Sequence, residues 1–184
     1  FVEKSEQQHL SALLGNPLLL NLLVSAVKGD RWPSSRQETY LLACRQLIIE
    51  RNPAHREARK SKFDIEEILD AAGCICALLL LSDHEAISVG ATINSIGEIA
   101  IDDIPRELTQ SFDQTYHALT TNLFIANGTT RTPRHRTISE FLAARYIGKA
   151  VENGLPITRA LALMSGFDDR IVEPLRGLYA WLAV

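Results

Sequence analysis

The chain has 184 residues, 46% of them hydrophobic and 22% charged, which is material for a buried core and for one large or two small domains. Its formal net charge of −3 is mild and of the wrong sign for a general nucleic-acid binder. Three cysteines, an odd number at this length, argue against a disulfide framework and for a reducing, cytoplasmic compartment.

The chain opens on Phe1 and carries one methionine, Met164, as expected of a piece of a longer polypeptide whose targeting signal lies elsewhere. No membrane span is expected. The apolar run over 71–81 is far short of the roughly 20 residues a spanning helix needs. The longer stretch over 10–27 is interrupted by Gly15-Asn16-Pro17.

In chain order, residues 2–14 predict a helix that stops at Gly15. Asn16 caps the next one, and Pro17 takes its first position, where the missing N–H costs nothing. Residues 18–27 are apolar nearly all round and predict a deeply buried helix ending at Gly29. Ser34 or Ser35 caps a third helix running to about residue 51, with Tyr40, Leu41, Cys44, Leu47 and Ile48 on one face. Residues 51–62 lose the periodicity and hold five basic residues against one acid, a basic connection more readily than a binding patch.

Asp64 and Glu67 have capping-box spacing and open a helix to about residue 82, with Ile65, Ile68, Leu69, Ala72 and Cys76 inward. Asp83-His84-Glu85 is a turn and 86–89 a short strand. A weak helix, broken at Gly97, is expected over 92–101. Pro105 starts a stronger helix whose inner face is Leu108, Phe112, Tyr116, Leu119 and Leu123. Asn127-Gly128 between short extended segments is a hairpin signal.

The next stretch, Arg134 to Ile147, organises the rest. Ile138, Phe141, Leu142 and Tyr146 form one helical face. Thr137 with Glu140 has capping-box spacing, so a helix is expected from Thr137 to about 153, stopped by Gly154 and Pro156. Arg134, His135 and Arg136 then lie just before a helix N-terminus, where free N–H groups and the helix dipole favour an anion. The bland alternative is that His135 ends a loop and is solvated. Two more helices are expected, over 157–165 and from 172 onward.

The expected fold class is mainly α. A helical bundle over 1–62 is followed by a winged-helix domain with a small β-hairpin over 63–153. The start of a helical sensor or repeat region follows over 154–184.

No catalytic constellation is legible. No Gly-x4-Gly-Lys-Ser/Thr phosphate loop is present, and Gly148-Lys149 lacks the preceding glycine. Cys74 and Cys76 have no partner pair for a metal and read as core. A winged helix raises the alternative of a nucleic-acid-binding domain. The would-be reader helix offers Arg106, Glu107, Asp113 and His117, preceded by Glu98, Asp102 and Asp103, and those acids would repel a phosphate backbone. A ligand-free helical scaffold is the remaining rival.

Two stretches together resemble a family. Gly15-Asn16-Pro17-Leu18-Leu19-Leu20 resembles the Gly-x-Pro segment that follows the nucleotide-binding core of NACHT-type NTPases of the STAND class. His135 with Glu140-Phe141-Leu142-Ala143-Ala144 resembles the His-x4-Glu-Phe-Leu-Ala-Ala segment of the winged helix in that family. Glu173-Pro174-Leu175-Arg176-Gly177-Leu178 with Ala180-Trp181-Leu182 resembles the opening of the helical sensor in bacterial members. The likeness runs from about residue 8 to 153.

The resemblance implies a molecular switch that holds ADP when closed and exchanges nucleotide and forms a homo-oligomer on activation, often in defence. It implies that Pro17 packs on adenine and that His135 contacts the ADP β-phosphate. Arg134 and Arg136 are further candidate phosphate contacts. The phosphate loop and the Mg²⁺-binding acids are absent from this sequence and are expected in an upstream nucleotide-binding core. ADP/ATP with Mg²⁺ would therefore bind the parent chain rather than this segment alone, and this segment should not hydrolyse ATP. Its partners would be that core and a downstream sensor, with neither nucleic acid nor membrane. The usual aromatic two residues before the histidine is replaced by Pro133.

Overall fold

A computed structural model describes residues 2–7, 17–27, 32–49, 63–90, 96–105, 108 and 111–183. The chain divides into two compact units, Phe1–Arg59 and Lys60–Val184.

The first unit contains α1 (Val2–Gln7), α2 (Pro17–Ala26) and α3 (Arg36–Ile48). Pro17 holds the first position of α2, as its missing N–H predicts. The expected Gly15 stop, Asn16 cap and Gly29 stop lie outside the described residues. Leu23 is fully buried, but Val24 is half exposed, so α2 is not apolar-packed all round. Ser35 caps α3 by accepting from the Glu38 N–H at 3.1 Å. Glu38 in turn accepts from the Ser34 N–H and hydroxyl at 2.6 and 2.7 Å. The buried face of α3 is Thr39, Tyr40, Ala43 and Cys44. Leu41, Leu47 and Ile48 are only half-buried, one notch off the expected stripe. The basic run over 51–62 lies outside the described residues.

The second unit is built around two 17-residue helices, α4 (Ile65–Leu81) and α6 (Arg136–Glu152). The capping box at Asp64 and Glu67 forms as the spacing predicts: Glu67 accepts from the Asp64 N–H at 2.8 Å. Ile68, Leu69, Ala72 and Cys76 are buried, whereas Ile65 is half-buried. The two helices cross where Gly73 meets Leu142. A Cβ at position 73 would stand 2.7 Å from the Leu142 carbonyl oxygen, so only glycine allows this approach. Ile138 and Leu142 of α6 are both buried. Beyond it, Asp70 accepts from Arg145 at 2.5 Å and from Lys149 at 2.7 Å, and Arg145 also bonds Glu66.

A four-stranded mixed sheet in the order β2-β1-β4-β3 completes this unit. Its strands are β1 (Ala86–Ser88), β2 (Glu98–Ala100), β3 (Phe124–Asn127) and β4 (Thr130–Pro133). β1 pairs parallel with β2 and antiparallel with β4, and β3 with β4 is antiparallel. The end of the helix expected over 92–101 is therefore strand and 3₁₀ turn. The chain turns at Ile96-Gly97, with Gly97 at φ 107°, and Glu98-Ile99-Ala100 pairs with Ala86-Ile87-Ser88. A partner 12 residues away decides that conformation, which no local period displays. Residues 91–95 lie outside the described residues.

Helix α5 (Phe112–Leu119) starts at a Ser111 cap, not at Pro105. Its face is also turned from the expected one. Gln114, Thr115, Ala118 and Leu119 are buried, while Phe112 and Tyr116 are exposed and stack at 6.4 Å. The Gln114 amide explains the choice, donating to the Glu67 carbonyl on α4 at 2.9 Å. Leu123 is buried beyond the helix, on the way into β3. The hairpin forms with Gly128-Thr129 at its tip, one residue later than expected. Asn127 becomes the last paired residue, opposite Thr130.

After α6 come α7 (Ile157–Ala162), a 3₁₀ turn (Glu173–Leu175) and α8 (Arg176–Leu182). These belong to the second compact unit, and α8 packs on α6. Among the described residues, no helix is long and apolar enough to cross a membrane.

Candidate functional site

The sequence motif converges on the start of α6. That helix begins at Arg136, with His135 as its N-cap residue at φ −148° and ψ 136°. The capping box expected at Thr137 and Glu140 is not formed. The His135 carbonyl instead accepts from Ile138 and Ser139 at 3.1 and 3.0 Å, and no side chain caps the end. Glu140 is drawn away to Arg136, whose Nε lies 3.0 Å from its Oε1. The Arg136 and Thr137 amides precede those two backbone bonds, and N–H groups at such a helix start favour an anion.

His135 is half-buried, and its ring has no hydrogen-bond partner among the described residues. Partial burial, and then the charge of Arg134, hold its imidazole below the ordinary histidine value. That shift favours the neutral imidazole, which has one ring N–H to donate. Arg134 is fixed in place by the Asn122 carbonyl, which accepts from its Nε at 2.6 Å. Arg136 is spent differently, on Glu140 and on the carbonyl of Pro174.

Pro17, the proposed adenine contact, lies in the other compact unit with its side chain exposed. Arg134, His135 and Arg136 stand together at the start of α6, in the second unit.

Beside the start of α6 lies an open groove of about 300 Å³. Leu79, Leu80 and Glu85 form one part of its wall, and Thr132, Arg136 and Pro174 another. His135 is not in that wall. Asp83 and His84 are, and the His84 Nδ1 is held by Ser82 at 2.7 and 2.9 Å.

The other residues singled out for chemistry are structural. The Cys74 thiol donates to the Leu108 carbonyl at 3.0 Å. Burial pushes the Cys76 thiol up to about 12, leaving it protonated. Lys149 pairs with Asp70. Among the described residues no group of histidine, cysteine and carboxylate is placed to hold a metal. Sequence reasoning missed the role of Glu140 and Gly177. A Cβ at position 177 would stand 2.3 Å from the Glu140 carboxyl carbon. A glycine opposite a carboxylate 37 residues away carries no local signal.

Comparison with known protein families, with curated proteins and with solved structures finds no match.

Proposed function

We propose that this chain is the helical and winged-helix portion of a NACHT-type STAND NTPase, a regulatory segment that closes over bound ADP and reports nucleotide state to the rest of its chain. The observation that carries the reading is the half-buried His135 ring at the uncapped start of α6, flanked by Arg134 and without a hydrogen-bond partner among the described residues. A phosphate there would gain a ring N–H, helix amides and a nearby guanidinium. The antiparallel order β1-β4-β3, entered from α5, supports the winged-helix part. The order of the Gly15-Asn16-Pro17 and His135-x4-Glu140 segments supports the family.

On this reading an upstream core supplies the phosphate loop and Mg²⁺. Pro17 packs on adenine, and the segment works in the cytoplasm, with oligomerisation on activation and the core and sensor of its own chain as partners. The nucleic-acid alternative gains little from α5, whose exposed residues include Asp113, Phe112 and Tyr116.

The test is ADP calorimetry on the intact parent protein with and without His135→Ala. Loss of one charge-assisted hydrogen bond should weaken ADP about tenfold and raise basal activity. A bound phosphate favours imidazolium, so His135 takes up a proton on binding. Wild-type affinity should therefore rise as pH falls from 7.5 to 5.5, and the variant should not follow. Equal ADP affinity in both proteins at every pH would remove His135 from the site.

A further inference from the structure

Glu140 is a buried carboxylate, with only 10% of its side chain exposed, and Arg136 is the cation beside it. Arg136 holds it through Nε and also donates from Nη2 to the Pro174 carbonyl, in the 3₁₀ turn that leads into α8. Gly177 lies directly against the same carboxylate, in a space that a Cβ would fill. One residue further along α6, Phe141 meets Trp181 edge-on, with ring centroids 5.2 Å apart. The seat of α8 on α6 thus depends on two things: no side chain at position 177, and a countercharge for Glu140. That countercharge stands largely in water. The Arg136 side chain is 60% exposed, and both it and Pro174 line the open groove.

We propose that Arg136 and Glu140 form a releasable clasp. A phosphate group at the start of α6 draws Arg136 away from Glu140 and Pro174, and the segment 173–182 then loosens from α6. Burying a carboxylate without its cation is costly, so the clasp cannot lose Arg136 and keep α8 seated. By reciprocity, freeing Arg136 from the clasp strengthens its hold on phosphate. The identity of the anion rests on the nucleotide reading above; the clasp itself does not.

The experiment is hydrogen exchange, read by mass spectrometry, on peptides covering 173–183 of the intact protein. Without ligand, Arg136→Gln should speed exchange there about tenfold or more, because the buried charge is left alone. Adding Glu140→Gln to that variant removes the charge and should return exchange close to wild type. Inorganic pyrophosphate, at matched ionic strength, should speed exchange in wild type and leave the double variant unmoved. No acceleration in Arg136→Gln overturns the clasp. Acceleration in that variant with no wild-type response to pyrophosphate overturns the release. Failure of the nucleotide reading would show separately, as ADP binding indifferent to His135→Ala with the ligand-free acceleration intact.

Discussion

Helix α6 packs on α4 along one face and on α8 along another, and the two contacts are secured differently. Toward α4, charge is shared. Asp70 has both Arg145 and Lys149, and Arg145 has both Asp70 and Glu66. Toward α8, the buried Glu140 faces Arg136, and that arginine is mostly exposed. Both contacts close on a glycine, but the neighbours differ. Gly73 touches backbone, the Leu142 carbonyl, whereas Gly177 touches the end of a side chain. A shared network survives loss of a member, and a single exposed cation can be taken away. The first contact is suited to holding the unit together and the second to opening.

The glycines give the largest test of that difference. Gly73→Ala forces a Cβ against a carbonyl that cannot move without shifting α6. It should cost about 1–3 kcal/mol of overpacking, read as a fall in the urea midpoint of the second unit. Gly177→Ala presses only on the Glu140 carboxylate, which can swing out. It should leave the global midpoint nearly unchanged while speeding exchange in α8. Equal midpoint losses in the two variants would erase the distinction.

A smaller effect is expected inside the shared network. Glu66→Gln removes one acid from Arg145, which keeps Asp70 at 2.5 Å. The Glu66 side chain is 39% exposed, so the loss should be below about 1 kcal/mol. A loss as large as that of Gly73→Ala would show that the network is not redundant.

What could be read in advance follows the reach of each interaction. The Asp64–Glu67 capping box spans three residues and appears where its spacing puts it. The Asn127-Gly128 signal placed the hairpin but missed its tip by one, because Gly128 could take φ 56° at the first loop position. The strand Glu98–Ala100 depends on pairing with β1, and the exposed Phe112 and Tyr116 reflect Gln114 reaching back to α4. Neither is visible in a local period. At the site, the residues before α6 were legible as a basic pre-helix run. The separate fates of Arg134 and Arg136 were not, since Asn122 and Pro174 decide them from 12 and 38 residues away.

The smallest expected signal is also the one that separates the two contacts most directly. Cys76 sits on α4 beside Ser139 of α6, and burial pushes its thiol up to about 12. At pH 8 about one molecule in ten thousand then carries the reactive thiolate. Cys44 and Cys74 are buried as well. The native protein should therefore show almost no reaction of these three thiols with an aromatic disulfide reagent, and full reaction once denatured. Arg136→Gln opens only the α8 contact, so it should leave Cys76 as inert as in wild type even while exchange in 173–183 accelerates. Gly73→Ala disturbs the α4 contact and should raise the rate. If Arg136→Gln exposes Cys76 too, the faces of α6 open together, and the clasp is part of the core rather than a separate device on its edge.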